Sequence, residues 1–352
     1  MKKLGINIEV HLPMRLRIYR FFDIGNNHYY YDDYVNEYYT RKISEESYLP
    51  ANRILSDLIH KYGEKIEINF LFSGVVLDQF ELYAPEAIES FKSLIGAGSV
   101  NLVSGSYSNS FGPVTDKAEY QQQVNFQKKR ISALFGKEPL DLPYSWLNNS
   151  GAPYKDAIIK RENQDETVNL FVPYNIFGNN QVMNSVILEI LKLFTDEEYS
   201  KSDFESIHTH DTENNLLSSQ LVSFSSTVED KNIGLFYASC NEMQIDALEK
   251  LNSIRRKIRK CDDPVLVKDW LFLQSCDHFY YMNPDLYEDT NFKFSFIPYD
   301  SPYMAYINYM NILDDFSGRF TMMNINEISV NEPAMKKWTR ILKKSPVMDL
   351  LE

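Results

Sequence analysis

Polar and apolar residues alternate one by one at the start of the chain. Ile6, Ile8 and Val10 alternate with Asn7 and Glu9, the period of a strand with two unlike faces. This strand delivers His11 to its C-terminal end, and Pro13 blocks its continuation. The period then lengthens. Ile54, Leu55, Leu58 and Ile59 share one face of a helix over Ala51 to Tyr62, which Gly63 ends. Lys65 to Ser73 reads as a second strand. The helical segment after Gly74 carries Leu77, Phe80, Ile88, Phe91 and Leu94 and stops at Gly96 and Gly98. Val100 to Ser104 is a third strand, Lys117 to Phe135 a third helix closed by Gly136, and Leu142 to Leu147 a fourth strand. Strand and helix therefore alternate from Gly5 to Leu147, the pattern of parallel βα units.

The alternation then breaks. The segment between Asn149 and the next strand, Thr167 to Val172, has room for a turn and one short helix. A helix follows from Gln181 to Phe194, with Val182, Val186, Ile190 and Phe194 spaced by four, and Lys201 to Lys231 is polar and loop-like. From Cys240 onwards the reading is helical. Ile245, Leu248, Leu251, Ile254 and Ile258 form one stripe, and Arg255-Arg256-Lys257 reads as the solvated face of that helix. Pro264 and Pro302 each suit the first turn of a further helix, and Trp338 and Leu342 lie on a last basic one. The expected fold class is α/β. A reduced, incomplete β/α barrel of parallel strands occupies residues 1–235, and a helical C-terminal domain follows over 236–352. A βα unit takes about 30 residues, so Trp146 to Pro173 holds one unit at most. The barrel is expected to bring the fourth strand and the Thr167–Val172 strand close together, or to leave a covered gap between them.

Composition narrows the class. At 352 residues, 44% hydrophobic and 24% charged, the chain is globular, and its net charge of -13 argues against nucleic acid or an anionic membrane as partner. Cys240, Cys261 and Cys276 form no Cys-x-x-Cys pair, so disulfide and zinc frameworks are not expected. MKKLGINIEV runs straight into a strand without a signal-peptide core, and no run spans a membrane, so the cytoplasm is the expected compartment.

Aromatic residues change the picture most. Between Arg15 and Tyr34, Tyr19, Phe21, Phe22, Tyr29, Tyr30, Tyr31 and Tyr34 are interleaved with Arg17, Arg20, Asp23, His28, Asp32 and Asp33. Ring faces beside planar hydrogen-bonding groups suit a sugar, and they equally suit an aromatic core patch capped by charge. The stretch HLPMRLRIYRFFDIGNNHYYYDDY resembles the opening of glycoside hydrolase family 57, the α-amylase and 4-α-glucanotransferase family, which usually has His-Gln-Pro where this chain has His11-Leu12-Pro13. The resemblance continues through SGVVLDQFELYAPE, weakens at Gly105 to Phe111, and returns in DPVLVKDWLFLQSCDHFYYM and PYDSPYMAYINYMNILDDF.

The resemblance implies retaining chemistry at two carboxylates roughly 5 Å apart. In similar proteins the nucleophile is a glutamate ending the fourth strand. Here Trp146, in Tyr144-Ser145-Trp146, takes its place. The acid/base is an aspartate after an apolar strand. In NLFVPYNIFG, Pro173 takes that position and Asn175 that of a following glutamate, while Gly105 and Asn109 stand where a glutamate and a histidine are common. Tryptophan has no nucleophile and proline no functional side chain. A positioned acid/base is worth about 10²–10⁴-fold, and the covalent route needs its nucleophile. Asp156, Glu166 and Asp277 are the nearest carboxylates by segment that could substitute.

For binding, the resemblance implies a mouth built by His11, Tyr30, Trp146, Asp277 and His278. Each has a plainer alternative: a satisfied structural histidine at His11, a core ring at Trp146, an interface-stabilising pair at Asp277-His278. His208-Thr-His210-Asp211 has metal-ligand residue types but sits in a polar loop, where solvation is the simpler reading. The expectation is thus a family-57-like protein without a catalytic pair, a metal or a cofactor. It would bind an α-glucan or maltooligosaccharide weakly, or act as a scaffold for a protein partner or a second copy. The alternative is an active α-glucan hydrolase or glucanotransferase using replacement carboxylates.

Overall fold

The computed structural model describes residues 3–110, 115–141, 158–162, 167–173, 240–259, 261, 263–288 and 297–322. The expected elements at Leu142 to Leu147, Gln181 to Phe194, Lys201 to Lys231 and around Trp338 lie outside these residues.

Six strands form one sheet: β1 (Lys3–Val10), β2 (Ile66–Phe72), β3 (Val100–Ser104), β4 (Leu140–Asp141), β5 (Ile158–Glu162) and β6 (Thr167–Pro173), in the order β4-β3-β2-β1-β6-β5. All neighbours are parallel except β5, which runs antiparallel to β6. The α/β class and the parallel sheet follow the strand periods of the sequence. One expectation needs correction: Ile158–Glu162 is a strand where a turn and short helix were expected. Strand β6 pairs with β1, and β4 and β5 stand at the two ends of the strand order.

Alternation, clean in β1 and partial in β2 and β3, gives the sheet two different faces. Ile6, Ile8, Val10, Ile68, Phe70, Phe72, Val100 and Leu102 are buried in one apolar core with α2 (Leu49–Tyr62) and α4 (Pro85–Gly96). The other face carries an asparagine ladder. Asn7, Asn69 and Asn101 stand in register, Asn69 Nδ2 donates to Asn7 Oδ1 (2.8 Å), and Asn101 Nδ2 donates to Asn69 Oδ1 (3.0 Å) and Glu67 Oε1 (2.8 Å). Each amide answers the next, which is what allows amides inside a sheet.

Helix α1 (Asp33–Ile43) was not expected. Asp32 caps it, accepting from Val35 N (3.0 Å), and its buried positions are Asn36, Thr40 and Ile43. Two of those three are polar, so no apolar stripe marks it. Pro50 lacks an N–H for the preceding turn, and the chain widens there into one π turn, Ser44–Tyr48, before α2.

Helices α3 (Gly74–Tyr83) and α5 (Lys117–Phe135) complete the βα part. Helices α6 (Glu242–Ile258), α7 (Pro264–Leu273), α8 (Cys276–Tyr280), α9 (Asp285–Glu288) and α10 (Pro302–Met322) follow. Their core is shared. Met14, Leu16, Tyr19, Tyr30, Tyr31, Val75 and Tyr107 pack in one cluster with Leu251, Trp270, Phe279, Ile312 and Phe316.

Segment 14–31 is held mainly by α10. Asn308 Oδ1 accepts from Tyr19 N (2.6 Å) and Asn308 Nδ2 donates to Arg17 O (3.1 Å). Asn311 Nδ2 donates to Tyr19 O (3.1 Å). Asp315 accepts from Gly25 N (2.7 Å), Tyr30 Oη (2.6 Å) and His28 Nδ1 (2.8 Å). Asp269 accepts from Tyr31 Oη (2.8 Å) and Arg319 Nη1 (2.8 Å). Positions 308, 311, 315 and 319 recur at three and four residues, so one helix face presents the whole row.

The basic run on α6 also needs correction. Arg256 and Lys257 are exposed, but Arg255 is buried and donates to Glu119 Oε2 (3.0 Å), which also accepts from Trp270 Nε1 at Oε1 (2.6 Å).

Asp315→Ala should destabilise the protein by about 3–5 kcal/mol, because it strips a buried carboxylate from three donors. Its neighbour Asp314 pairs with Lys250 at the surface, and Asp314→Ala should cost no more than about 1 kcal/mol. Urea unfolding of both variants checks this, and equal losses would contradict the assigned role of Asp315.

Candidate functional site

Parallel strands collect functional groups beyond their C-terminal ends. Here β1 ends at Val10 and hands over His11, while β2 ends at Phe72 and hands over Ser73. Ser73 caps α3, its Oγ accepting from Val76 N (3.2 Å). The same Oγ lies 2.7 Å from His11 Nδ1. On the other side of the ring, Nε2 donates to Asp277 Oδ2 (2.8 Å), across 266 residues of sequence. Ser275 Oγ donates to the same carboxylate oxygen (2.6 Å).

The loop after β3 anchors this corner. Cys276 N donates to Asn109 O (3.0 Å), and Ser110 forms an isolated bridge with Ser275. Asn109 has φ 49°, in the left-handed region that asparagine tolerates better than most residues. Gly74 packs hard on the same loop. Its N–H donates to Tyr107 O (2.9 Å), and an added Cβ would stand 2.1 Å from the Tyr107 ring.

The pair is ionic. Burial disfavours the charged form of His11, but the Asp277 carboxylate and its hydrogen bond outweigh this, with Glu9 adding to them, and its pKa is raised. Burial pushes Asp277 up, while His11 and the Ser275 hydroxyl pull harder and hold it down at about 2. A carboxyl group that titrates so low is a poor proton donor near neutrality. With both ring nitrogens of His11 engaged and Asp277 held low, neither group is poised for proton transfer.

The other residues of the expected mouth do not gather here. Tyr30 is fully buried, and its hydroxyl is spent on Asp315 and Arg319, so it offers no face to a ligand. His278 is also interior. Its Nε2 donates to Phe272 O (3.0 Å) and its ring stacks on Tyr309, with burial lowering its pKa. The exposed rings of the aromatic stretch are Phe21, Phe22, Tyr29 and Tyr34. Trp146 lies outside the described residues, as do Asp156, Glu166 and the His208–Asp211 run. Pro173 is the last residue of β6, in register with Glu9. Among the described residues, no group of three or more His, Cys, Asp or Glu side chains could hold a metal. Ser73 and Ser275 are the contributors that sequence reasoning missed. A serine between a strand and a glycine-led helix is a capping signal that could have revealed Ser73.

The pH dependence of the pair follows from the two shifts. The raised His11 pKa contributes stability that is full below its unfolded value of 6.5 and is lost as pH rises through the folded value. The lowered Asp277 pKa contributes stability that is full above 3.8 and is lost as pH falls toward about 2. The stability gap between wild type and Asp277→Asn should therefore be widest between pH 3.8 and 6.5 and should narrow on both sides. Denaturant midpoints across pH check this, and a constant gap would show that the pair is not charged.

Residues 5–145 match the model of Glycosyl hydrolase family 57. That span carries β1 to β4, His11 and Ser73. A Methanocaldococcus jannaschii protein named "Putative alpha-amylase" is 22% identical over 88% of this chain and 83% of its own length. Two solved structures are more distant. The 4-alpha-glucanotransferase of Thermococcus litoralis gives a TM-score of 0.31 at 12% identity, covering 60% of this chain and 31% of its own. The GH57-type branching enzyme of Pyrococcus horikoshii gives 0.28 at 15% identity, covering 48% and 38%. The chain thus spans little more than a third of those solved chains at most, and the likeness is too low to define a common fold. The two sequence matches thus make residues 5–145 similar to glycosyl hydrolase family 57, and most of the chain similar to a protein named as a putative alpha-amylase.

Proposed function

We propose that this protein is an α-amylase-like member of family 57 on a reduced β/α barrel, without the family's catalytic pair and with a weak site for α-glucan or maltooligosaccharide at the His11–Asp277 mouth. The observation that carries the reading is the state of that mouth. Asp277 is held ionised by His11, and β6 ends in register with Glu9 at Pro173, which has no group that titrates. Trp146 stands at the position that the resemblance gives to the nucleophile. Such a site binds hydroxyls without turning over a glycosidic bond. Binding is weak, because few contacts offset the cost of ordering a flexible sugar. A scaffold role toward a protein partner or a second copy is compatible with the same site.

One observation favours the active alternative. Glu9 also acts electrostatically on His11, so two carboxylates, Glu9 and Asp277, serve one corner of the sheet. Maltoheptaose incubation with product analysis separates the two readings. No turnover above background is expected, with binding that falls about tenfold in His11→Ala, the scale of one charge-assisted hydrogen bond. Turnover abolished by Glu9→Gln or Asp277→Asn would establish the active alternative. The double variant Trp146→Glu, Pro173→Asp should stay inactive, because the surrounding wall is short as well as the side chains altered. Clear α-glucan cleavage by that variant would show that the side chains were all that was missing.

A further inference from the structure

Four residues beyond His11, Arg15 carries a charge that no carboxylate among the described residues answers. Its main chain is fixed from α1. Arg15 N donates to Asn36 Oδ1 (2.7 Å), Asn36 Nδ2 donates to Arg15 O (3.1 Å), and Asp32 N donates to the same carbonyl (3.1 Å). The guanidinium lies over the Tyr39 ring, 4.1 Å from its centroid. The residue is only 4% exposed, and its Nε has no hydrogen-bond partner.

The contrast with the other buried arginines is sharp. Arg130 meets Asp78 (2.6 Å) and Glu81 (2.9 Å), and Arg255 meets Glu119 (3.0 Å). Arg15 forms no ion pair with a carboxylate among the described residues, in a chain whose net charge is -13. An unpaired buried cation is costly, and a chain this rich in carboxylates could easily have supplied a partner. A guanidinium held against a ring keeps its plane fixed and its N–H edge free for a planar, two-point acceptor. Arg15 lies four residues after His11 on the segment that leaves β1. The buried Tyr281 phenol interacts electrostatically with both Arg15 and Asp277. Asp277 pairs with His11, and no ion pair joins it to Arg15.

We propose that Arg15 is an oxyanion-binding residue, which takes a phosphate or carboxylate group of a ligand seated beside the His11–Asp277 pair. The inference stands apart from the α-glucan reading, because inorganic phosphate alone suffices to test it. A neutral maltooligosaccharide that binds while every oxyanion fails would sink this inference and leave that reading intact. The reverse result would do the opposite.

Isothermal titration of the full chain with inorganic phosphate, glucose 1-phosphate, glucuronate and glucose supplies the test. Saturable binding of at least one oxyanion is expected, with Arg15→Met lowering its affinity at least about tenfold, or about 1.4 kcal/mol. Arg15→Lys keeps the charge and the stem but loses the fork, and should lower affinity several-fold. Tighter binding of glucose 1-phosphate than of phosphate or glucose assigns the anion to a sugar-borne group. Equal affinity for phosphate and glucose 1-phosphate assigns it to the free ion. The proposal is overturned if no oxyanion binds saturably, or if affinity is unchanged in Arg15→Met. Should Arg15→Met not fold, unchanged affinity in Arg15→Lys overturns it.

Discussion

A chain segment that runs through a protein interior must find partners there for its own amides and carbonyls. Segment 14–31 enters the interior at 14–16, 19, 30 and 31, and α10 supplies partners along it. Asn308, Asn311 and Asp315 bind its backbone at Arg17, Tyr19 and Gly25, and Asp315 also takes the Tyr30 hydroxyl. Those bonds let Tyr19, Tyr30 and Tyr31 enter the same core as Trp270 and Phe316. The aromatic stretch near the start of the chain is thus a structural part of the helices near its end.

The same logic runs along the rest of the contact between the βα units and the later helices. Glu119 of α5 accepts from Trp270 and Arg255, and His11 after β1 donates to Asp277 of α8. These are buried or half-buried polar ties. Losing one partner from such a tie leaves a desolvated charge, so each enforces a specific fit more than it adds net stability. The His11–Asp277 tie lies at the strand ends. It is both a clasp between two parts of the chain and the wall of the candidate site, and any ligand there meets a charge pair whose orientation is already set.

Much of the sheet was legible because its outer face obeys a simple rule. Ile6, Ile8 and Val10 alternate with Asn7 and Glu9, Ile66, Ile68 and Phe70 alternate with Glu67 and Asn69, and period two identifies a strand without further knowledge. Helix α1 was not legible, because Asn36 and Thr40 face inward and leave no apolar stripe. Strand β5 was missed because IIKRE is short and is set as a strand by pairing with β6. Arg255 was misread for a related reason. A basic run on a helix is normally solvated, and only the position of Glu119 turns one member inward.

For the site, the sequence by itself determined which residues stand at the strand ends. Pro13 stops β1 just beyond His11, and Ser73 caps the helix that follows β2, both through local backbone chemistry. It also fixed that Trp146 and Pro173 carry no carboxylate. Tertiary structure alone decided that His11 meets Asp277 across 266 residues, that neighbouring His278 turns into the core, and that Tyr30 is buried where Tyr29 is not. The reason is physical. Periodicity and capping act over one or two turns of chain, whereas pairing, burial and charge state depend on which distant groups close around a side chain.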